Sequence, residues 1–231
     1  NHVKLFLLCS PHNPVGRVWT REELVTIGEI CLKHQVVVLS DEIHCDFTYD
    51  GFVHTPFAAI SEEFAKNSII CTAPSKTFNL AGLQVSNIFI PDGVKRKRFC
   101  IAVDAAGYSQ LNVMGLVAAK AAYTYGGEWL SELKAYLAGN LSFVREFLKE
   151  NIPQIKLVEP QGLYLIWLDC GALGLSCEEL ERLVCERANL WLDGGIMFGK
   201  ETGQFQRINI ACTRRTLRQA MEQLADAVKS I

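Results

Sequence analysis

Thr72-Ala73-Pro74-Ser75-Lys76-Thr77-Phe78-Asn79-Leu80-Ala81-Gly82-Leu83 is the stretch on which the reading of this chain turns. The residues before it, Ser68 to Cys71, form a short apolar run of the kind that makes a buried strand. A strand that opens into small and hydroxyl residues and then a lysine puts that amine at its carboxyl end. Open α/β sheets bind their ligands at that end. A lysine taken at random is usually a solvated surface charge. Two further stretches change that balance: Ser10-Pro11-His12-Asn13-Pro14-Val15-Gly16 and Ser40-Asp41-Glu42-Ile43-His44. Each follows its own apolar strand, so Asn13, Asp41 and Lys76 stand in that order past three strand ends.

Working outward, Val3–Cys9 is a near-continuous apolar run, as expected of a strand covered on both faces. Asn13-Pro14-Val15-Gly16 is a turn signal. Thr20 with Glu23 is a capping box that opens a helix running to about His34. Val36–Ser40 is the next buried strand, which implies a right-handed parallel crossover. A loop from Asp46 to Pro56 leads to a short helix near 57–66, the strand 68–71, the lysine stretch and a strand near 85–90. Asp92 to about Ala105 reads as a helix bearing Lys95-Arg96-Lys97-Arg98, a solvated basic face. Gln110–Tyr123 is Ala-rich and mostly apolar, which predicts a buried helix. From Glu128 to Asn151 the residues Leu130, Leu133, Leu137, Leu141, Val144 and Leu148 recur at three- and four-residue spacing, marking a long amphipathic helix.

Beyond that helix the pattern changes. Strands at 156–158 and 163–169 flank Pro160-Gln161-Gly162, and Ser176 with Glu179 caps a helix ending near Asn189. Further strands at 190–192 and 207–212 precede a closing helix over 213–229. The expected architecture is therefore α/β: a mainly parallel sheet with helices on both faces over 1–144, and a smaller α+β domain over 145–231.

Composition sets the outer limits. The 231 residues are 49% apolar and 21% charged with a net charge of −2, which favours neither nucleic acid nor membrane surface as a partner. No apolar run approaches the ~18 residues that span a bilayer, and no signal peptide is expected from the first residues. None of the nine cysteines falls in a C-x-x-C pair, so no metal site is expected. Cys9, Cys71, Cys170 and Cys212 sit in apolar runs and read as small core residues in a reducing compartment, the cytoplasm.

The Asn13–Asp41–Lys76 series, completed by Arg207 in Arg207-Ile208-Asn209-Ile210-Ala211-Cys212, resembles fold-type I enzymes of the class I/II aminotransferase superfamily, which use pyridoxal 5'-phosphate (PLP). In that family the matching lysine holds the cofactor's aldehyde and then takes the substrate's α-proton. The resemblance gives those roles to Lys76, and to Asp41 the partnering of the pyridine nitrogen. Asn13 would meet the ring's phenolic oxygen, and Arg207 would clamp the substrate's α-carboxylate, for which a planar guanidinium is suited. Ser75 and then Thr72 are the phosphate candidates.

The chain departs from the aminotransferase pattern at three positions. Gln84 stands where many members carry an arginine for the phosphate, and Ala73 where a serine is frequent. His44 stands where a tyrosine is usual, as a general acid or a partner of the ring oxygen. Asp41-Glu42-Ile43-His44 together with Ser75–Gln84 is similar to the cystathionine β-lyase-like C–S lyases of the MalY/PatB group. That resemblance implies a homodimer releasing thiol, pyruvate and ammonia from cystathionine, cysteine or cysteine S-conjugates. An aminotransferase of amino acids is the alternative, and a non-catalytic regulatory fragment the second. It also implies that roughly the family's N-terminal third, with a phosphate loop and the aromatic that stacks on the pyridine, lies outside this chain.

Overall fold

A computed structural model describes residues 2–108 and 110–231. Its chain forms two compact units. Unit 1 takes the residues up to His12 and Arg17–Ser131, and unit 2 takes Asn13–Gly16 with Glu132–Ile231. The larger segment of unit 2 thus starts inside the long amphipathic helix.

Unit 1 is built on a four-stranded sheet, β1 (Leu5–Cys9), β2 (Val37–Asp41), β3 (Ser68–Thr72) and β4 (Asn87–Phe89), in that spatial order. The first three strands run parallel and β4 is antiparallel to β3. Register places Cys9 beside Asp41 and Asp41 beside Cys71, which brings the carboxyl ends of β1, β2 and β3 level. Helix α1 (Arg21–Lys33) starts at the expected capping box: Thr20 accepts from the Glu23 N–H, and Glu23 reaches back to the Thr20 N–H. Leu24 and Cys31 of α1 pack with Leu8, Val38, Phe57, Phe64 and Ile70 into one core, where the Phe57 and Phe64 rings stack at 5.3 Å.

Several expectations for unit 1 are corrected. The helix expected near 57–66 is two pieces, a 3-10 turn over Phe57–Ala59 and α2 (Glu62–Lys66). Ser61 separates them because its hydroxyl caps α2, accepting from the Phe64 N–H at 3.2 Å. Strand β1 is not covered on both faces: Leu5, Phe6 and Leu7 are 47%, 37% and 68% exposed. It is an edge strand, paired only with β2 among the described residues. The Ala-rich helix, α5 (Val113–Tyr125), is not buried either; only Gly115 and Ala119 are, while Met114 is 66% and Val117 59% exposed. Two basic residues of α4 (Gly93–Ala105) tie carbonyls: Lys95 Nζ donates to Lys66 O at 2.9 Å and Arg96 Nη1 to Ile90 O at 2.7 Å.

Unit 2 holds the longest helix, α6 (Gly127–Asn151), from Glu132 onward, together with an antiparallel sheet. That sheet comprises β5 (Lys156–Val158), β6 (Leu165–Asp169), β7 (Asp193–Gly194) and β8 (Phe205–Asn209), in the order β5-β6-β8-β7. Helix α8 (Arg214–Lys229) buries Leu217, Met221, Leu224, Ala225, Ala227 and Val228, the apolar stripe of a helix lying on a core. Asn140 of α6 is fully buried, and its amide donates to Ile210 O at 2.8 Å and Cys212 O at 3.0 Å, tying α6 to the chain after β8. Ser176 caps α7 (Cys177–Arg182) as expected, but the helix continues as a π turn over Leu183–Arg187. The strand expected at 190–192 lies instead at Asp193–Gly194, since Trp191 is 96% exposed and takes no place in the sheet. Gly16 supplies a tight turn of unit 2: its φ is +77°, and a Cβ there would come within 2.9 Å of Gly162 O and Pro160 Cβ. The Gly16 carbonyl accepts from the N–H groups of Gln161 and Gly162 at 2.8 and 2.9 Å.

Candidate active site

Parallel strands end in loops, and the loops after β2 and β3 carry most of the residues singled out in the sequence. Asp41 is the last residue of β2. Its carbonyl accepts from the Ser10 N–H at 2.9 Å, and its Oδ1 accepts from the Ile43 N–H at 3.3 Å, a weak bond. The next residue, Glu42, is 2% exposed and fully engaged. Its backbone N–H donates to Cys71 O at 2.8 Å, and Oε1 accepts from Ser40 Oγ at 2.8 Å and the Phe57 N–H at 2.9 Å. Its Oε2 lies 3.0 Å from His54 Nε2. A buried carboxylate is costly unless it is hydrogen-bonded, and these three donors satisfy it. Sequence reasoning passed over Glu42, because nothing local separates it from the Asp41 it follows. His44 is 3% exposed, and its carbonyl accepts from the Phe47 N–H at 3.0 Å.

After β3 the chain turns through α3 (Pro74–Thr77), a single helical turn with Ala73 extended ahead of it and Pro74 in its first turn, where a missing N–H costs nothing. Lys76 is half-buried, and among the described residues its amine makes no hydrogen bond or ion pair. Thr77 is 1% exposed and its Oγ1 donates to Asp46 Oδ2 at 2.6 Å. Thr72 Oγ1 accepts from Asn87 Nδ2 at 3.3 Å, and the same amide reaches Tyr123 Oη at 3.1 Å. A cavity of about 460 Å³ opens here, lined by Cys45, Asp46, Thr72, Asn87 and Tyr123 among others. Burial, aided by the charges of Asp46 and Glu42, pushes the Cys45 thiol up to about 12, so it stays protonated at neutral pH. Gln84 is exposed in a left-handed conformation closing the turn Ala81–Leu83.

Unit 2 brings the other two residues together. Arg207 of β8 donates from Nη1 to Asn13 Oδ1 at 2.8 Å. Its Nε donates to Asp193 Oδ2 at 3.1 Å and its Nη2 binds the same oxygen. The guanidinium lies 5.0 Å from the centre of the Phe198 ring, and the side chain is 16% exposed. The partner that an arginine in an apolar strand requires is therefore Asp193, which stands opposite it in β7 and was missed in the sequence. Each Nη of Arg207 keeps a further N–H for another acceptor. Thus Asp41, His44, Thr72, Ser75 and Lys76 fall within unit 1 at the ends of adjacent strands, and Asn13 and Arg207 form one contact within unit 2. Among the described residues, no cluster of three or more His, Cys, Asp or Glu could hold a metal ion, and no helix is long and apolar enough to cross a membrane.

Comparison with known proteins places the chain in a family. Residues 1–224 match the family model for aminotransferase class I and II, so the chain belongs to that family. It is 44% identical over 226 residues to cystathionine beta-lyase PatB of Bacillus subtilis (strain 168), covering 98% of this chain and 58% of that protein. With protein MalY of Escherichia coli (strain K12) it shares 32% identity over 229 residues, 99% of this chain and 58% of that one. Among solved structures, cystalysin from Treponema denticola, which contains a pyridoxal 5'-phosphate cofactor, superposes with a TM-score of 0.96 at 38% identity; the match covers 98% of this chain and 58% of cystalysin. The PLP-bound C-S lyase from Staphylococcus hominis gives 0.89 at 32% identity, over 97% of this chain and 57% of that one. The chain thus spans less than two thirds of the length of these relatives, and its fold is that of PLP-dependent transferases.

Proposed function

We propose that this chain carries the cofactor lysine and the substrate-carboxylate arginine of a PLP-dependent carbon–sulfur β-lyase. The observation that carries the reading is Lys76: a half-buried amine without an ion pair among the described residues, on the turn that follows the strand registered against Asp41. The donor set suits the cofactor. An aldehyde needs an amine not engaged with a carboxylate, and a pyridine nitrogen needs an acid with spare acceptor capacity; Asp41 holds one weak N–H.

Pyridoxal phosphate, when bound, supplies an electron sink for the negative charge that develops at the substrate's α-carbon. Lys76 would hold the cofactor through its aldehyde, and its Nζ is the group that would accept the substrate's α-proton. Asp41 keeps a proton on the pyridine nitrogen by offering a carboxylate to it. Asn13 donates to the ring's phenolic oxygen through its amide, while its Oδ1 stays on Arg207. Arg207 offers its remaining N–H groups to the α-carboxylate. Asp193 sustains it in that role, because a half-desolvated guanidinium needs a fixed counter-charge. Ser75 and Thr72 take the phosphate, and His44 serves as a buried acid or as a ring-oxygen partner. In sum, an S-substituted cysteine and water become a thiol, pyruvate and ammonia. Cystathionine, cysteine and cysteine S-conjugates are the substrate class. We further infer a homodimer, which mass photometry of the full-length protein would reveal, and a reducing compartment such as the cytoplasm, where nine free thiols persist.

The test is product analysis of the full-length protein with cystathionine and PLP. Pyruvate and ammonia formed without any keto-acid acceptor support the lyase. A strict requirement for a keto acid means an aminotransferase, and no turnover with either means a non-catalytic role.

A further inference from the structure

The turn that carries Lys76 cannot hold its own shape. α3 is one turn long, its N-cap residue Ala73 makes no side-chain bond, and an isolated helix of that length does not persist in water. The direction of the lysine is therefore set by what its neighbours touch. On one side Phe78 packs edge-on against Tyr123 at 5.8 Å and tilted against Trp129 at 6.0 Å. Adjoining the lysine, Thr77 is buried and its hydroxyl donates to Asp46, 31 residues earlier in the chain, at 2.6 Å. That length belongs to charge-assisted O–H···O⁻ bonds, the stronger kind.

Asp46 is itself held. It lies on the loop that leaves β2 at Glu42 and returns at Phe57, and Glu42 closes this loop at both ends. The Glu42 backbone is bonded to Cys71 of β3. Its carboxylate binds Ser40 at the end of β2, and His54 and the Phe57 N–H at the loop's return. All of these groups are buried or nearly so. The chain of support runs from the sheet through Glu42 to the loop, from Asp46 to Thr77, and so to the residue beside Lys76.

We propose that Asp46 is a positioning residue for Lys76, acting through the Thr77 hydroxyl: their bond aims the lysine amine for attachment to the cofactor aldehyde. The proposal rests on the reading of Lys76 as the cofactor lysine. It requires the hydroxyl of Thr77, not its bulk. Threonine to valine keeps the shape and removes the donor, whereas threonine to serine keeps the donor and removes a methyl.

The experiment uses the full-length protein stripped of cofactor and reconstituted with PLP, following visible absorbance for the rate and apparent dissociation constant of attachment. Thr77→Val weakens attachment about tenfold or more, the scale of a lost bond to a charged group. Thr77→Ser stays within about twofold of the unaltered protein. Equal behaviour of Thr77→Val and the unaltered protein overturns the proposal. So does equal impairment of Thr77→Val and Thr77→Ser, which would make packing the cause. Should Thr77→Val fail to fold, Asp46→Asn decides: a neutral acceptor gives attachment weakened to between the serine variant and Lys76→Ala, and unchanged attachment overturns. Lys76→Ala is the separate control: attachment that survives it sinks the cofactor-lysine reading itself, whatever the Thr77 variants do.

Discussion

The two units bury their apolar residues to very different degrees. In unit 2, α6 and α8 close on the sheet with side chains such as Val144, Ile166, Ile210 and Met221 at 0% exposure. In unit 1, one core lies between α1 and β1–β3, while the outer positions of β1, β4 and α5 leave Leu7, Phe89, Met114 and Val117 at 54–68% exposure. A stability argument for unit 2 can run on burial alone. Unit 1 is held at its β2–β3 end by polar closure instead: a buried glutamate with three donors and a threonine on an aspartate. The proposed chemistry of the lysine belongs to that polar end, where side-chain direction matters more than buried area.

Truncation of the core gives the widest contrast. Met221→Ala lowers unfolding free energy by about 2–5 kcal/mol, and Met114→Ala by less than about 0.5 kcal/mol, both read from urea midpoints. A cost at Met114 as large as at Met221 would mean that the outer face of α5 is covered.

Thiol reactivity sharpens the comparison next. Burial pushes Cys170 in unit 2 and Cys45 in unit 1 from 9.0 up to about 12, roughly a thousandfold less thiolate at neutral pH. With mass-mapped alkylation at pH 7.5, the exposed Cys100 of α4 is modified first, the half-buried Cys45 much more slowly, and the buried Cys170 last. Labelling of Cys45 as early as Cys100 would show that its thiol is not held protonated.

The cap of α7 is a smaller lever. Ser176→Ala costs about 1 kcal/mol, because it strips an acceptor from the first turn and releases Glu179. A thermal melt of the variant checks this.

The least effect is a pH slope in unit 1. Burial first, and the Arg17 charge second, hold His12 below its ordinary 6.5. The unfolded chain therefore binds the proton more readily than the folded one, so stability is full above pH 6.5 and declines as pH falls below it. His12→Gln should flatten that decline in urea midpoints measured between pH 7 and 5.

Much of the layout was legible in the sequence. The apolar runs ending at Cys9, Ser40 and Cys71 are β1, β2 and β3, and the capping boxes at Thr20 and Ser176 begin helices as expected. The apolar face of 113–125 is left exposed within this chain, because composition reports what a helix could bury and not which neighbour buries it. The Arg207–Asn13 contact joins two residues singled out beforehand. Glu42, Asp193 and the Asp46–Thr77 bond were not legible, because each depends on partners that only the folded chain brings together. Arg207 and Asp193, for example, face each other across two antiparallel strands. The sequence pattern marks the residues proposed to meet the cofactor, and leaves unmarked those that hold them in place.

The most direct measurement is borohydride reduction of the PLP-loaded full-length protein followed by peptide mass mapping. The account predicts a single pyridoxyl group on the peptide containing Lys76, absent in Lys76→Ala. A pyridoxyl group on another lysine, or retained in that variant, would contradict it.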